Sequence, residues 1–133
     1  MRSVLLPVLF WLLLTPAMTM AGEGGVVGHY VTDSDPNTVR LLLNVQEPVP
    51  TAFIVWQRIP DEMWLVDAVP PPSGFRKKNG GKAAVKWLFR YPQPGPMEVR
   101  LRFSHQVALE QLEGAVTFRR PDGQTLVVRK FTR

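Results

Sequence analysis

The residues that could do chemistry are few and lie far apart in the sequence. The chain has no cysteine and two histidines, His29 and His105, so it offers no thiol nucleophile. A zinc site needs three or four closely arranged ligands, and no such spacing is present. Ser104 and His105 are adjacent, but neighbouring side chains of a β-strand point to opposite faces. We therefore expect that this pair cannot share a proton directly, as the serine and histidine of a catalytic triad do.

Acidic residues offer two further possibilities. Asp61, Glu62 and Asp67 could supply the two carboxylates of a glycoside hydrolase, and Asp33 and Asp35 could begin a calcium loop. The calcium pattern lacks its following glycine and its distal glutamate, so the local hydrogen bonds of an aspartate-rich turn explain it better. The carboxylate group of Asp61, Glu62 and Asp67 is better explained as acidic turn residues that follow a proline. We predict a protein that is not an enzyme and uses no metal or cofactor.

The first 21 residues have the form of an export signal. A basic start at Arg2 precedes an apolar run from Val4 to Leu14, and small residues follow at Thr19 and Ala21. An apolar run of this length is shorter than the roughly 20 residues that cross a bilayer, but it fits a signal-peptide core. We predict a signal peptide over residues 1–21 and an exported protein, periplasmic or extracellular on the cell surface. An uncleaved signal anchor is the alternative.

Charge is distributed unevenly along the remaining chain. Residues 22–75 carry two basic and seven acidic side chains, whereas residues 76–133 carry thirteen basic and four acidic ones. The basic half could orient the protein on a polyanionic glycan or a membrane surface, or its charges could simply be solvated on the outer faces of strands. Its most plausible polar contact surface is a predicted hairpin loop over residues 76–82, which contains Arg76, Lys77, Lys78 and Lys82. Export and the lack of a recognisable binding module argue against nucleic acid as a partner.

Short apolar runs separated by turn residues predict an all-β protein. Thirteen prolines and ten glycines divide the chain into runs rich in valine, isoleucine, phenylalanine, tryptophan and leucine. We predict eight strands, over Val26–Val31, Thr38–Val45, Ala52–Arg58, Met63–Ala68, Ala84–Arg90, Met97–Phe103, Gly114–Arg119 and Thr125–Phe131. The best helical candidate, Val107 to Glu113, spans only about two turns and could equally be a loop.

Alternation along the strands predicts how they pack. From Met97 to Phe103 apolar residues face one way and charged residues the other, and from Val85 to Tyr91 only Leu88 breaks a similar pattern. The Pro-Asp-Gly turn at 121–123 predicts a hairpin between the last two strands. We predict one domain over residues 22–133, a two-sheet antiparallel immunoglobulin-like sandwich of about seven to eight strands. A small closed barrel is the alternative.

Three tryptophans follow the signal, at Trp56, Trp64 and Trp87. Large aromatic residues normally serve the core of a sandwich, so we expect each of them to be packed there. Trp56 and Trp64 flank a turn and could cover one end of the fold. An exposed one could instead stack on a sugar ring or anchor a peptide.

The middle of the chain resembles a β-sandwich module of bacterial and archaeal surface proteins. The similarity lies in the segment from Phe53 to Trp64 and in the later Val-Lys-Trp-Leu-Phe run that begins at Val85. Such modules often carry a Glu-x-x-Pro-x-Gly-Trp turn followed by a Lys-Trp-x-Phe strand, and occur beside repeat, cohesin or dockerin-type regions. Here Gln57 or Arg58 stands where the acid is expected and Met63 replaces the turn glycine. The resemblance implies a structural or adhesive role without catalytic residues.

These observations predict a structural or protein-interaction module of a bacterial periplasmic or cell-surface assembly, with an envelope or surface protein as its partner. Exposed sheet edges would allow a partner to dock by strand addition. The alternative is a carbohydrate-binding module that uses an exposed tryptophan.

Overall fold

The computed structural model describes residues 24–77, 83–122 and 125–133, with only the backbone of Lys77. These residues form the predicted all-β, two-sheet antiparallel, immunoglobulin-like sandwich. The predicted signal peptide at residues 1–21 lies outside the described residues, as do Lys78 and Lys82. In the described part of the chain, no helix is long and apolar enough to cross a membrane.

Two antiparallel sheets contain all the strands of the described residues. Their bounds are β1 Gly25–Thr32, β2 Thr38–Gln46, β3 Ala52–Arg58, β4 Leu65–Val69, β5 Gly74–Lys77, β6 Ala83–Arg90, β7 Gly95–Phe103, β8 Glu113–Arg119 and β9 Leu126–Lys130. The four-stranded sheet has the order β1-β2-β7-β4, and the five-stranded sheet has the order β5-β6-β3-β8-β9. The eight predicted strands are confirmed to within two residues at either end.

The ninth strand, β5, corrects the loop prediction at Arg76 and Lys77, whereas residues 78–82 lie outside the described residues. Arg76 and Lys77 are not in a loop but pair with Ala84 and Ala83 of β6. Strand β5 is too short to show alternation in the sequence. Its backbone hydrogen bonds to β6 define it instead, and they do not depend on side-chain pattern.

Alternating side chains fill the space between the sheets. On β7, Val99, Leu101 and Phe103 are buried while the charged residues between them are exposed, as predicted. On β6, Val85 and Trp87 are buried as expected. The prediction for Tyr91 is wrong, because this residue lies beyond β6 with a φ of 50° and is 77% exposed. The left-handed backbone there turns the side chain out of the sheet.

Trp87, in the core, also forms a hydrogen bond to the segment between β4 and β5, which connects the two sheets. After β4 the chain leaves the four-stranded sheet and reaches the edge of the five-stranded sheet at β5. Pro70 lies in this crossover, and its carbonyl oxygen accepts a hydrogen bond of 2.8 Å from the indole N–H of Trp87. The indole is 1% exposed, so this bond satisfies a buried donor that would otherwise be costly.

A second buried hydrogen bond joins the two sheets directly. The Tyr30 hydroxyl of β1 donates to the Gln57 side-chain oxygen of β3 over 2.6 Å. The Gln57 amide donates in turn to the carbonyls of Arg58 and Glu113. Burial raises the pKa of the Tyr30 phenol well above its ordinary range, so the hydroxyl keeps its proton and remains a donor.

The remaining connections are short. The candidate helix at Val107 to Glu113 is reduced to a single 3-10 turn, Leu109–Gln111. The predicted hairpin between the last two strands is confirmed by the pairing of β8 with β9. The aspartate-rich turn is also confirmed: Asp35 accepts hydrogen bonds from the Asn37 amide and the Thr38 hydroxyl. Both hydrogen bonds favour the charged carboxylate, and they lower the pKa of Asp35.

Candidate binding surface

The outer face of the five-stranded sheet is unusually apolar for a surface that no other element of the described chain covers. Because Phe53, Val55 and Gln57 of β3 point into the core, Ile54 and Trp56 point outward. Leu88 of β6, which broke the pattern in the sequence, is on the same face and is 38% exposed. We call this surface the outer sheet face. Its apolar members are Ile54, Trp56, Ala84, Leu88, Ala115, Leu126 and Val128.

Trp56 lies in the middle of the outer sheet face and is half-buried. The Arg76 guanidinium of β5 and the Lys86 ammonium of β6 lie over its ring, 5.9 and 5.6 Å from the centroid. Both cations are close enough to interact with the negative face of the indole. The result is a tryptophan held in place and bordered by positive charge.

Two shallow grooves cross this face. One, of about 300 Å³, includes Ile54, Leu88 and Leu126. The other, of about 190 Å³, includes Trp56 and Lys130. Beside the second groove, Arg58 and Glu113 form an ion pair at 2.7 Å. The face thus combines apolar grooves with charged residues at its border, as protein interfaces do.

The outer face of the four-stranded sheet is different in chemistry. Its central strands point Arg40 and Glu98 outward, and these two residues form an ion pair. The ion pair raises the pKa of Arg40 above its ordinary value. A groove of about 300 Å³ on this side brings Asp67 together with Arg100 and Arg102. Charged side chains of both signs thus share this face with outward apolar residues, namely Val27, Val31, Leu42 and Val69.

Trp64 lies away from the outer sheet face, beside the end of β7. It is 62% exposed, so the expectation of core packing is wrong for this residue. The same expectation is wrong for half-buried Trp56 and confirmed for Trp87. Trp64 precedes β4, so strand alternation does not direct its side chain into the core. Its backbone amide donates a hydrogen bond of 3.0 Å to the Ser104 hydroxyl.

Ser104 and His105 correct a further expectation. The Ser104 hydroxyl lies 2.8 Å from Nδ1 of His105, so the two side chains do share a hydrogen bond. The alternation argument fails because both residues lie in a bend after β7 has ended. The hydroxyl also accepts the Trp64 amide, and the imidazole meets the Trp64 ring edge to face at 5.9 Å between centroids. These contacts hold Trp64 in place.

The predicted site residues thus separate into two places. Trp56 and Arg76 come together on the outer sheet face, and Trp64 lies elsewhere. Ile54, Leu88 and Lys86 were missed as site residues. Strand alternation could have identified them. On β3, for example, Phe53 and Val55 point into the core, so Ile54 and Trp56 must point away from it.

Candidate metal ligands do not converge in the part of the chain that the structure describes. Among those residues, no group of three or more histidine, aspartate or glutamate side chains could hold a metal ion. The buried polar side chains described there all have hydrogen-bond partners.

Comparison with known proteins yields little beyond the fold. No family model matches the chain, and no curated protein matches it. Among solved structures, it is similar to the collagen binding subdomain of the Enterococcus faecalis surface protein ACE. The two share 13% sequence identity with a TM-score of 0.38, and the match covers 79% of this chain and 90% of the other. The fold assignment rests on the chain's own strand order and pairing.

Proposed function

We propose that this protein is a non-enzymatic interaction module of a bacterial periplasmic or cell-surface assembly. It binds a protein partner through the outer sheet face. The observation that carries the proposal is the arrangement at the centre of the outer sheet face, where Trp56 lies beside outward-pointing Ile54 and Leu88, with the cations of Arg76 and Lys86 over its ring. Apolar patches rimmed by polar residues are typical of interaction sites.

The residue types on this face also favour a protein partner. Tryptophan and arginine are over-represented among the residues that dominate binding energy at interfaces. Trp56 and Arg76 are in contact at the centre and border of the face. Thirteen basic residues against four acidic ones in residues 76–133 favour a partner surface with carboxylates.

Site-specific photo-crosslinking in the cells that produce the protein tests this proposal. A photo-reactive amino acid at Leu88, on the outer sheet face, is expected to form a covalent adduct with a partner protein. The same amino acid at Asn44, exposed on the other sheet, is the matched control and is expected to form none. Trp56→Ala is expected to reduce the Leu88 adduct strongly, since loss of a central tryptophan commonly weakens binding by about 2 kcal/mol or more. Equal adducts from both positions, or none from Leu88, would contradict the proposal.

Carbohydrate binding is a second candidate, and the exposure of Trp64 favours it. An indole that is 62% exposed and fixed by its amide contact to Ser104 could stack on a sugar ring. Under this alternative, chito-oligosaccharides shift the tryptophan emission of the native protein. Trp64→Ala abolishes the shift and Trp56→Ala preserves it. A shift that survives Trp64→Ala, or no shift with the native protein, counts against this alternative.

A further inference from the structure

The five-stranded sheet ends on β9, and among the described residues no strand pairs with the other side of that strand's backbone. Two hydrogen bonds show which groups face β8: the Arg120 amide donates to the Thr125 carbonyl, and the Phe131 amide donates to the Gly114 carbonyl. In an antiparallel pair the residues that face the partner alternate with those that face away. Leu126, Val128 and Lys130 therefore direct their N–H and C=O groups away from β8.

The C-terminal end of β9 confirms this direction. Thr132 has the same parity as Val128 and Lys130, and it bonds away from β8 to the other sheet. Its amide donates to Gly28 and its carbonyl accepts from Tyr30, both in β1. Within the described part of the chain, the outward N–H and C=O groups of Leu126, Val128 and Lys130 form no such backbone hydrogen bond to another strand.

The other three edges are less suitable for an added strand. On β1, outward carbonyls are already used: Gly28 bonds to Thr132, and the Arg129 guanidinium donates to Gly24 and Val26. Strand β4 has a register irregularity between Leu65 and Asp67. Strand β5 has only four residues. Bulges and short length are common ways of protecting a sheet edge. Strand β9, with five residues, pairs with β8 in an unbroken register.

Side chains along β9 indicate what kind of segment fits. Leu126 and Val128 are 52% and 63% exposed, and they extend the outer sheet face to its edge. Leu126 also lines the larger groove. Lys130 lies on the same face at the other end of the strand. An added antiparallel strand with a carboxylate followed by two alternate apolar residues would face the Lys130 ammonium and then cover Val128 and Leu126.

We propose that β9 is a docking edge, to which an extended segment of a partner protein adds as a sixth strand of the five-stranded sheet. The segment carries alternate apolar residues opposite Leu126 and Val128 and an acidic residue opposite Lys130. This inference rests on the proposed function, since the occupant is a protein. It adds the mode of binding and the chemistry of the bound segment. Backbone hydrogen bonds supply affinity in this mode and alternate side chains supply specificity.

Two synthetic peptides test the inference on the exported protein. The probe is acetyl-Thr-Glu-Thr-Val-Thr-Val-Thr-amide, whose glutamate faces Lys130 when the peptide adds antiparallel to β9. The control peptide has lysine in place of glutamate. Amide exchange is followed by NMR. With the acidic peptide at about ten times its Kd, exchange at Leu126, Val128 and Lys130 is expected to slow about tenfold, because only the free fraction exchanges. The lysine peptide is expected to bind more weakly.

Backbone variants separate the edge from the side chains. Val128→Pro removes one outward N–H without removing a hydrogen bond to β8, and edge strands tolerate proline in such positions. This substitution is expected to raise the Kd of the acidic peptide about five- to tenfold. Val128→Ala keeps the N–H and is expected to stay within about twofold of the native protein. If Val128→Pro does not fold, Lys130→Pro replaces it, since its N–H points the same way, and it is compared with Lys130→Ala, which loses the same ammonium but keeps the N–H.

Three outcomes would overturn the inference. One is peptide binding without slower exchange at these three amides, and another is unchanged binding by the proline variant. The third is protection that rises with protein concentration in the absence of peptide, which would make the occupant a second copy of this chain. The crosslink at Leu88 does not depend on the peptides. A Leu88 adduct together with negative peptide results would therefore support the proposed function and contradict only the docking edge.

Discussion

Replacing Trp87 with alanine is expected to lower the free energy of unfolding by about 3–5 kcal/mol, the range for truncating a buried large aromatic side chain. The side chain is 1% exposed, and its indole N–H bonds to the Pro70 carbonyl. The substitution leaves a cavity and an acceptor without its donor. Urea unfolding followed by circular dichroism measures the change, with the slope checked for two-state behaviour.

Two matched variants show which part of Trp87 matters. Trp87→Phe keeps most of the buried ring but cannot donate to Pro70, so we expect a smaller loss of about 1–3 kcal/mol. Trp64→Ala removes the same side chain from an exposed position and is expected to change stability by about 0.5 kcal/mol or less. Equal losses for Trp87→Ala and Trp64→Ala would show that Trp87 is not a core residue.

The second large effect concerns the buried hydrogen bond between Tyr30 and Gln57. Tyr30→Phe is expected to cost about 1–3 kcal/mol, because the Gln57 oxygen then remains buried without its donor. Gln57→Leu is expected to cost a similar amount, since it leaves the Tyr30 hydroxyl without an acceptor. Thermal or urea unfolding of each variant measures both changes.

A double-mutant cycle isolates this contact. In the combined variant neither polar group remains to be left unpaired, so its loss of stability is expected to be smaller than the sum of the single losses by about 1 kcal/mol or more. Gln57 also donates to the carbonyls of Arg58 and Glu113, and those bonds are lost in both variants that lack it. Strict additivity would show that the two side chains do not interact in solution.

These two contacts matter for function because they fix the sheet that carries the outer sheet face. Gln57 and Trp87 lie on β3 and β6, the strands that also present Trp56 and Leu88. Adjacent residues of a strand point to opposite sides, so anchoring one side holds the other in position. A rigid face loses less conformational entropy when a partner binds.

Local patterns predicted most of the fold. Period-two alternation and proline or glycine turns lie within a few residues, so they could be recognised without knowing which strands pair. This is why the buried face of β7, from Val99 to Phe103, and the hairpin around Pro121 were predicted correctly. Strand β5 carries no such local signal and was missed.

The candidate surface needed more than local pattern. Parity alone could place Trp56 opposite the core, but it could not show that Arg76 and Lys86 would flank its ring. Those contacts depend on β5 and β6 lying beside β3 in that register. Ser104 and His105 show the reverse case, in which alternation was applied to two residues that lie beyond the end of β7 at Phe103.

The sequence by itself determined the fold class, eight of the strands and the buried residues of the central ones, because each follows from side chains that are close along the chain. Only the tertiary structure decided which side chains meet on the outer sheet face and which backbone groups of β9 lie outside the pairing of the described strands. Both depend on pairing between distant strands. The face is assembled from β3, β6, β8 and β9, and at the end of β9 the backbone of Thr132 forms hydrogen bonds to β1. Such pairings are set by hydrogen bonds between segments far apart in sequence, and local composition carries no record of them.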